Sequence, residues 1–208
     1  MRRKFLIPSL LLSLLCACVD DNRHLLSSTT PDNLVPAAVA PRQRELHYTR
    51  HAAATTRAEI IALRINAPFV PGDRGKIMRA VNEWNVALNG FVRFEIVPEG
   101  SLPPAGKTWT IVASGGNAPS GPAALAFTYA LPNGGGLMAI YVDRIGNRDL
   151  GAVVMHELGH VLGLSHDSGG LMAAHYHPTT QRCVDKAAVQ GVAANRNLPA
   201  DQLNWCEM

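Results

Sequence analysis

Eleven consecutive residues constrain this chain more than any others: His156-Glu157-Leu158-Gly159-His160-Val161-Leu162-Gly163-Leu164-Ser165-His166. The apolar run Leu150 to Leu164 that contains most of them predicts a helix, on which His156 and His160 stand one turn apart on the same face. Glu157 lies about 100° around the helix from His156, close enough to touch a water held between the histidines without being a ligand. Gly163 lets the chain leave the helix through a left-handed turn, which brings His166 back as a third ligand. Three neutral nitrogens with one open tetrahedral position make a catalytic zinc site and not a closed structural one. The competing reading is a buried helix that carries three histidines by coincidence. At average composition this pattern arises by chance in about one chain in 10⁵. The flanking Ala152, Val153, Val154, Leu158, Val161 and Leu162 make the helix apolar nearly all round, as a core helix should be.

The rest of the chain supplies a sheet for that helix. Glu59 to Ile65 reads as a first strand, and Asp73 can cap a helix running to about Leu88, with Ile77, Val81, Trp84 and Leu88 on one face. Phe91 to Val97, Thr108 to Ala113, Ala123 to Ala130 and Leu137 to Val142 follow as strands, the last two separated by the turn Pro132 to Gly136. After the histidine helix, Asp185 can cap a final helix over roughly Lys186 to Ala194. The order β-α-β-β-β-β-α-α predicts an α/β or α+β domain, a twisted five-stranded mixed sheet backed by helices, over residues 57–208.

With that order, the motif resembles that of the metzincin metallopeptidases, HExxHxxGxxH followed by a Met-turn. Gly170-Leu171-Met172 lies just beyond His166 and would supply the turn, with Met172 as a hydrophobic floor under the metal; otherwise Met172 is an ordinary core residue. The resemblance covers most of residues 57 to 194 and is nearest to the matrixins, whose last helix is similar to residues 185–192 here. It implies an edge strand that pairs with substrate, for which Leu125 to Tyr129 is the counterpart. Departures from the family pattern are equally visible. No PRCGxPD-like cysteine switch is present, no second His/Asp cluster marks a structural zinc, and no calcium loop is assignable. Asp167 after the third histidine is more like reprolysins. Astacins and serralysins place a Tyr two residues after the Met, where this chain has Ala174; Tyr176, two residues later, is either a transition-state hydrogen-bond donor or a loop aromatic. His175 and His177 read as solvated loop residues.

The N-terminus points to export. Arg2, Arg3 and Lys4 precede the apolar stretch Phe5 to Leu15, which is shorter than the ~20 residues that span a bilayer. Leu15-Cys16-Ala17-Cys18 resembles the bacterial lipobox, with residues 1–17 as leader and Cys18 as the acylated residue; a plain signal peptide cleaved near Ala17 is the alternative. Val19 in place of Asp favours sorting to the outer membrane or cell surface over inner-membrane retention, with secretion as the alternative. Residues 18–56, rich in Ser, Thr, Pro and Ala, read as a flexible tether or a short pro-segment covering a site. Only Cys183 and Cys206 then remain; in an exported chain they form a disulfide, unless both stay as unpaired thiols.

Charge narrows the partners. The formal net charge is +3, and losing the three basic leader residues leaves 16 basic against 16 acidic side chains, so no electrostatic case for nucleic acid survives. With 6% aromatic residues there is no stacking platform for single strands either. The expectation is a monomeric zinc metalloendopeptidase, with Glu157 as general base, acting on peptide or protein and held to the membrane by its N-terminal lipid. The alternatives are a non-catalytic surface lipoprotein that binds peptide or zinc, and a hydrolase of non-peptide amides.

Overall fold

The computed structural model describes residues 16–19 as backbone, and residues 47–207 apart from 55–56, 67, 99–100, 102–107, 133, 168 and 179–181. The expected leader up to residue 15 and the tether over residues 20–46 lie outside the described residues. Among the described residues no helix is long and apolar enough to cross a membrane.

The elements run in the order β1 (Cys16–Val19), β2 (His47–Tyr48), β3 (Glu59–Ile65), α1 (Pro71–Ala87), β4 (Val92–Ile96), β5 (Thr108–Ser114), β6 (Ala124–Ala130), β7 (Gly136–Tyr141), α2 (Val142–Ile145), α3 (Leu150–Val161), α4 (Lys186–Arg196) and β8 (Cys206–Glu207), with single 3-10 turns at Gly170–Met172 and Ala200–Gln202. The main sheet has the order β1-β6-β7-β5-β3-β4. Strands β4, β3, β5 and β7 are parallel, and β6 and β1 run antiparallel along one edge. Helix α1 is the crossover that joining parallel β3 and β4 requires. The fold is therefore α/β with a mixed sheet, five of its strands, β3 to β7, being those read from the sequence and β1 a sixth along one edge.

Two expectations about boundaries change. Helix α1 begins at Pro71 with Val70, not Asp73, at its N-cap. Proline suits the first helical position because its missing N–H would have no partner there and its φ is already helical; Asp73 sits in the first turn instead. The folded unit also begins before residue 57. His47 and Tyr48 pair with Glu207 and Cys206, the hydroxyl of Tyr48 accepts from the backbone N–H of Val184 at 3.1 Å, and Cys183 is bonded to Cys206 with their Cα atoms 6.2 Å apart. Residues 47–48 and the C-terminus thus clasp the start of α4. Burial raises the Tyr48 phenol above its ordinary range, reinforced by its hydrogen bond to Glu83.

Helices α1 and α3 share one core. Ile77, Ala80, Val81, Trp84 and Ala87 form the buried stripe of α1. The Trp84 indole N–H donates to the Met155 carbonyl at 2.8 Å, fully buried, which sets the height of α3 against α1. At the start of α3, the Asp149 side chain accepts from the Gly151 N–H at 2.8 Å, a capping bond that satisfies one of the orphan donors of the first turn. Arg79 of α1 reaches the same carboxylate at 2.8 Å.

Candidate metal centre

Helix α3 buries every residue from Leu150 to Gly159, including His156 and Glu157, both 0% exposed. It ends at Leu162, and Gly163 with φ of 92° turns the chain out of the helix; a side chain would be strained in that conformation. The turn carries His166 back to the face of His156 and His160. Nε2 of His156 lies 3.0 Å from Nε2 of His160 and 3.2 Å from Nε2 of His166. These three are the one group of His, Cys, Asp or Glu among the described residues that could hold a metal ion, with ligand atoms all within 4.8 Å of one another.

The hydrogen bonds behind the rings decide what the cluster can hold. His156 Nδ1 lies 2.7 Å from the Leu171 carbonyl oxygen, and His160 Nδ1 lies 2.7 Å from the Leu164 carbonyl oxygen. A carbonyl only accepts, so each Nδ1 carries the proton and each Nε2 presents a lone pair. Burial, then the neighbouring imidazoles, lower the His156 pKa to about 3; burial lowers that of His160 to about 4 against the opposing bond to Leu164. His166 is lowered by burial and by His175, with Asp167 acting the other way. At neutral pH no proton separates the facing nitrogens, and lone pairs at 3.0 Å repel unless a cation lies between them. Neutral imidazoles, two of them fixed by a carbonyl behind the ring, are the donor set that zinc takes.

Met172 packs against α3 at Gly159, where an added Cβ would fall 2.4 Å from its sulfur and would push the thioether aside. The 3-10 turn Gly170–Met172 that places it is held through Leu171, whose N–H donates to Asp185 Oδ2 at 2.6 Å while its carbonyl accepts from His156. Asp185 Oδ1 accepts from the Ala188 N–H at 2.9 Å as the cap of α4. One carboxylate therefore ties the last helix to the peptide that orients a histidine. Sequence reasoning found Asp185 as a helix cap and missed this second duty.

Glu157 points its carboxylate toward the edge of the sheet, where Oε2 accepts from the Thr128 hydroxyl of β6 at 2.5 Å, in a buried contact. Thr128 was missed in the sequence, where its signal was that of a small hydroxyl residue within the largely apolar run Ala124-Leu-Ala-Phe-Thr-Tyr-Ala. Tyr176 does not come to the histidines by its hydroxyl contact: that oxygen accepts from the Asp149 N–H at 3.1 Å, at the start of α3. His175 and His177 are exposed. Cys18 falls at the bulge of β1, where the pairing with β6 shifts register between Ala17 and Val19.

Residues 74–194 match the Matrixin family. The chain belongs to the matrixin family. It is thus a zinc metalloprotease, with a three-histidine group compatible with a catalytic zinc and peptides or proteins as substrates. Among solved structures, it is similar to high choriolytic enzyme 1, a hatching enzyme zinc-protease from Oryzias latipes (medaka fish), at 13% identity over 72% of this chain and 94% of that one, with a TM-score of 0.48. No curated protein sequence matches the chain.

Proposed function

We propose that this matrixin is an endopeptidase in which Glu157 is the general base. The observation that carries the proposal is a buried carboxylate next to His156 in the chain, held by Thr128 and outside the set that could ligate a metal. Zinc, when held by His156, His160 and His166, lowers the pKa of water toward about 7 and polarises the scissile carbonyl. Glu157 takes the proton as the water attacks that carbonyl, and then delivers it to the leaving amine. An extended peptide would lie along β6, its backbone groups satisfied by the strand edge, a sequence-tolerant way to hold a substrate. Met172 and the loop after it would wall the side-chain pocket.

β1 already pairs antiparallel with β6, Cys16 opposite Thr128 and Ala17 opposite Phe127. Cys16 and Ala17 belong to the expected leader, so cleavage before Cys18 would take that part of the strand away and leave the β6 edge open to a peptide. The test is digestion of a proteome-derived peptide library by zinc-loaded protein beginning at residue 47, beside its zinc-stripped form. Internal cleavages dependent on zinc are expected; a library left intact by the loaded protein would favour the non-catalytic binding reading.

We further propose an exported, monomeric lipoprotein anchored through Cys18 at the outer membrane or cell surface, on the strength of Leu15-Cys16-Ala17-Cys18. Full-length protein from a bacterial envelope should enter the detergent phase with acyl mass on Cys18. A Cys18→Ala form processed and partitioned identically would contradict it.

A further inference from the structure

Buried hydroxyls on apolar strands need a partner, and the one Thr128 has is the proposed base itself. Thr128 is 6% exposed and Glu157 0%, so neither group can turn to solvent for a replacement. Thr128 Oγ1 donates to Glu157 Oε2 at 2.5 Å. The contact spans 29 residues of sequence and joins two elements with different duties, α3 carrying the histidines and β6 forming the edge on which an extended chain pairs.

We infer that Thr128 is a positioning residue for catalysis, which aims the Glu157 carboxylate and sets its register against the peptide-binding edge. The inference rests on the reading of Glu157 as general base. Carboxyl χ angles in glutamate are soft, and a helix alone leaves the terminal torsion broad; a hydrogen bond from the neighbouring strand removes that freedom. Because Thr128 lies in β6, opposite the residue of whichever chain pairs there, docking of the peptide and aiming of the base share one strand. A peptide misaligned by one residue would turn its side chains to the opposite face relative to a base that cannot follow it.

The test uses Thr128→Val, which keeps the shape and the β-branch but removes the donor, and Thr128→Ser, which restores a hydroxyl. Both are compared in protein beginning at residue 47 and loaded with zinc. Thr128→Val is expected to lower kcat by about 10- to 100-fold, the usual effect of losing an outer-sphere partner, with KM within about twofold of wild type and zinc still near one ion per chain. Thr128→Ser should recover most of that loss. An activity-independent arm measures thermal unfolding of the zinc-free proteins. Thr128→Val should lower Tm in the wild-type background, since a buried carboxylate loses its donor, and should change it little when Glu157 is already alanine. Wild-type kcat in Thr128→Val, no recovery in Thr128→Ser, or an equal Tm shift in both backgrounds would overturn the positioning role. Failure of the underlying peptidase reading looks different: wild-type protein with zinc bound would cut nothing, whatever the Tm cycle showed, and the inference would fall with it.

Discussion

Helices α1 and α3 pack against each other, yet they use their sequences in opposite ways. Helix α1 is two-sided, with Ile77, Ala80, Val81, Trp84 and Ala87 buried and Lys76, Met78, Arg79 and Asn82 exposed. Helix α3 is buried on all sides, and that burial includes His156 and Glu157. An amphipathic helix is stabilised by the apolar area it removes from water. A helix that also buries polar groups must find a partner for each, and α3 finds them in three different places: the Leu171 carbonyl in the Gly170–Met172 turn, the Leu164 carbonyl after its own C-terminus, and Thr128 in β6. Helix α1 also has long-range partners, Trp84 at the Met155 carbonyl and Arg79 at Asp149, but only α3 spends its buried polar partners on the histidines and Glu157.

The largest expected difference between them appears in acid. With the metal removed by a chelator, the fold holds His156 and His160 neutral, with pKa values lowered to about 3 and about 4 from 6.5. Below pH 6.5 the unfolded chain binds protons that the folded chain excludes, so acid favours unfolding. Stability of the metal-free protein should be level above about pH 7 and fall steadily from about 6.5 toward 4. Urea midpoints followed across that range check this, and a midpoint unchanged between pH 7 and 5 would break the contrast, because it would mean the histidines of α3 are not buried neutral.

Next in size is a change on the scaffold side. Trp84→Ala removes the largest fully buried side chain of α1 together with its bond to the Met155 carbonyl, and should cost about 3–5 kcal/mol. Denaturant unfolding of the zinc-loaded protein measures it. Zinc binding in the fraction that remains folded should persist, since Trp84 touches α3 through its backbone and not through a ligand.

The smallest effect is expected on the site side. Gly159→Ala puts a methyl group 2.4 Å from the Met172 sulfur. Overpacking costs about 1–3 kcal/mol, partly offset by about 0.5–1 kcal/mol of helix preference over glycine. Although its effect on unfolding is smaller than that of Trp84→Ala, it should weaken zinc binding more, as a competitive chelator titration would show. The reverse order would mean that Met172 is an ordinary core residue and no support for the site.

How much of this was legible in the sequence follows the same division. The stripe of α1 and the strands β3 to β7 were readable because their periodicity is a local property of the chain. The histidine triad was readable for a related reason: a helical turn and one left-handed glycine bring all three residues together within 11 positions. Thr128, the second role of Asp185 and the Leu171 carbonyl were not, because each depends on contacts made only through the tertiary fold. The start of α1 was misplaced since Asp73 offered a capping side chain and Pro71 offered a preset backbone, and the backbone prevailed. The clasp of residues 47–48 on 206–207 was hidden in two-residue strands too short to show alternation.

The central claim is that α3 divides its buried polar residues between holding a metal and moving a proton. Measuring zinc content and peptide cleavage side by side in Glu157→Ala and His160→Ala tests it most directly. Glu157→Ala should keep near one zinc per chain while cleavage falls by about 10²- to 10⁴-fold or more, as expected for a group serving two proton transfers. His160→Ala should lose both, because it empties the triad. Substantial peptidase activity in Glu157→Ala with its zinc intact, or zinc lost equally from both variants, would contradict that division.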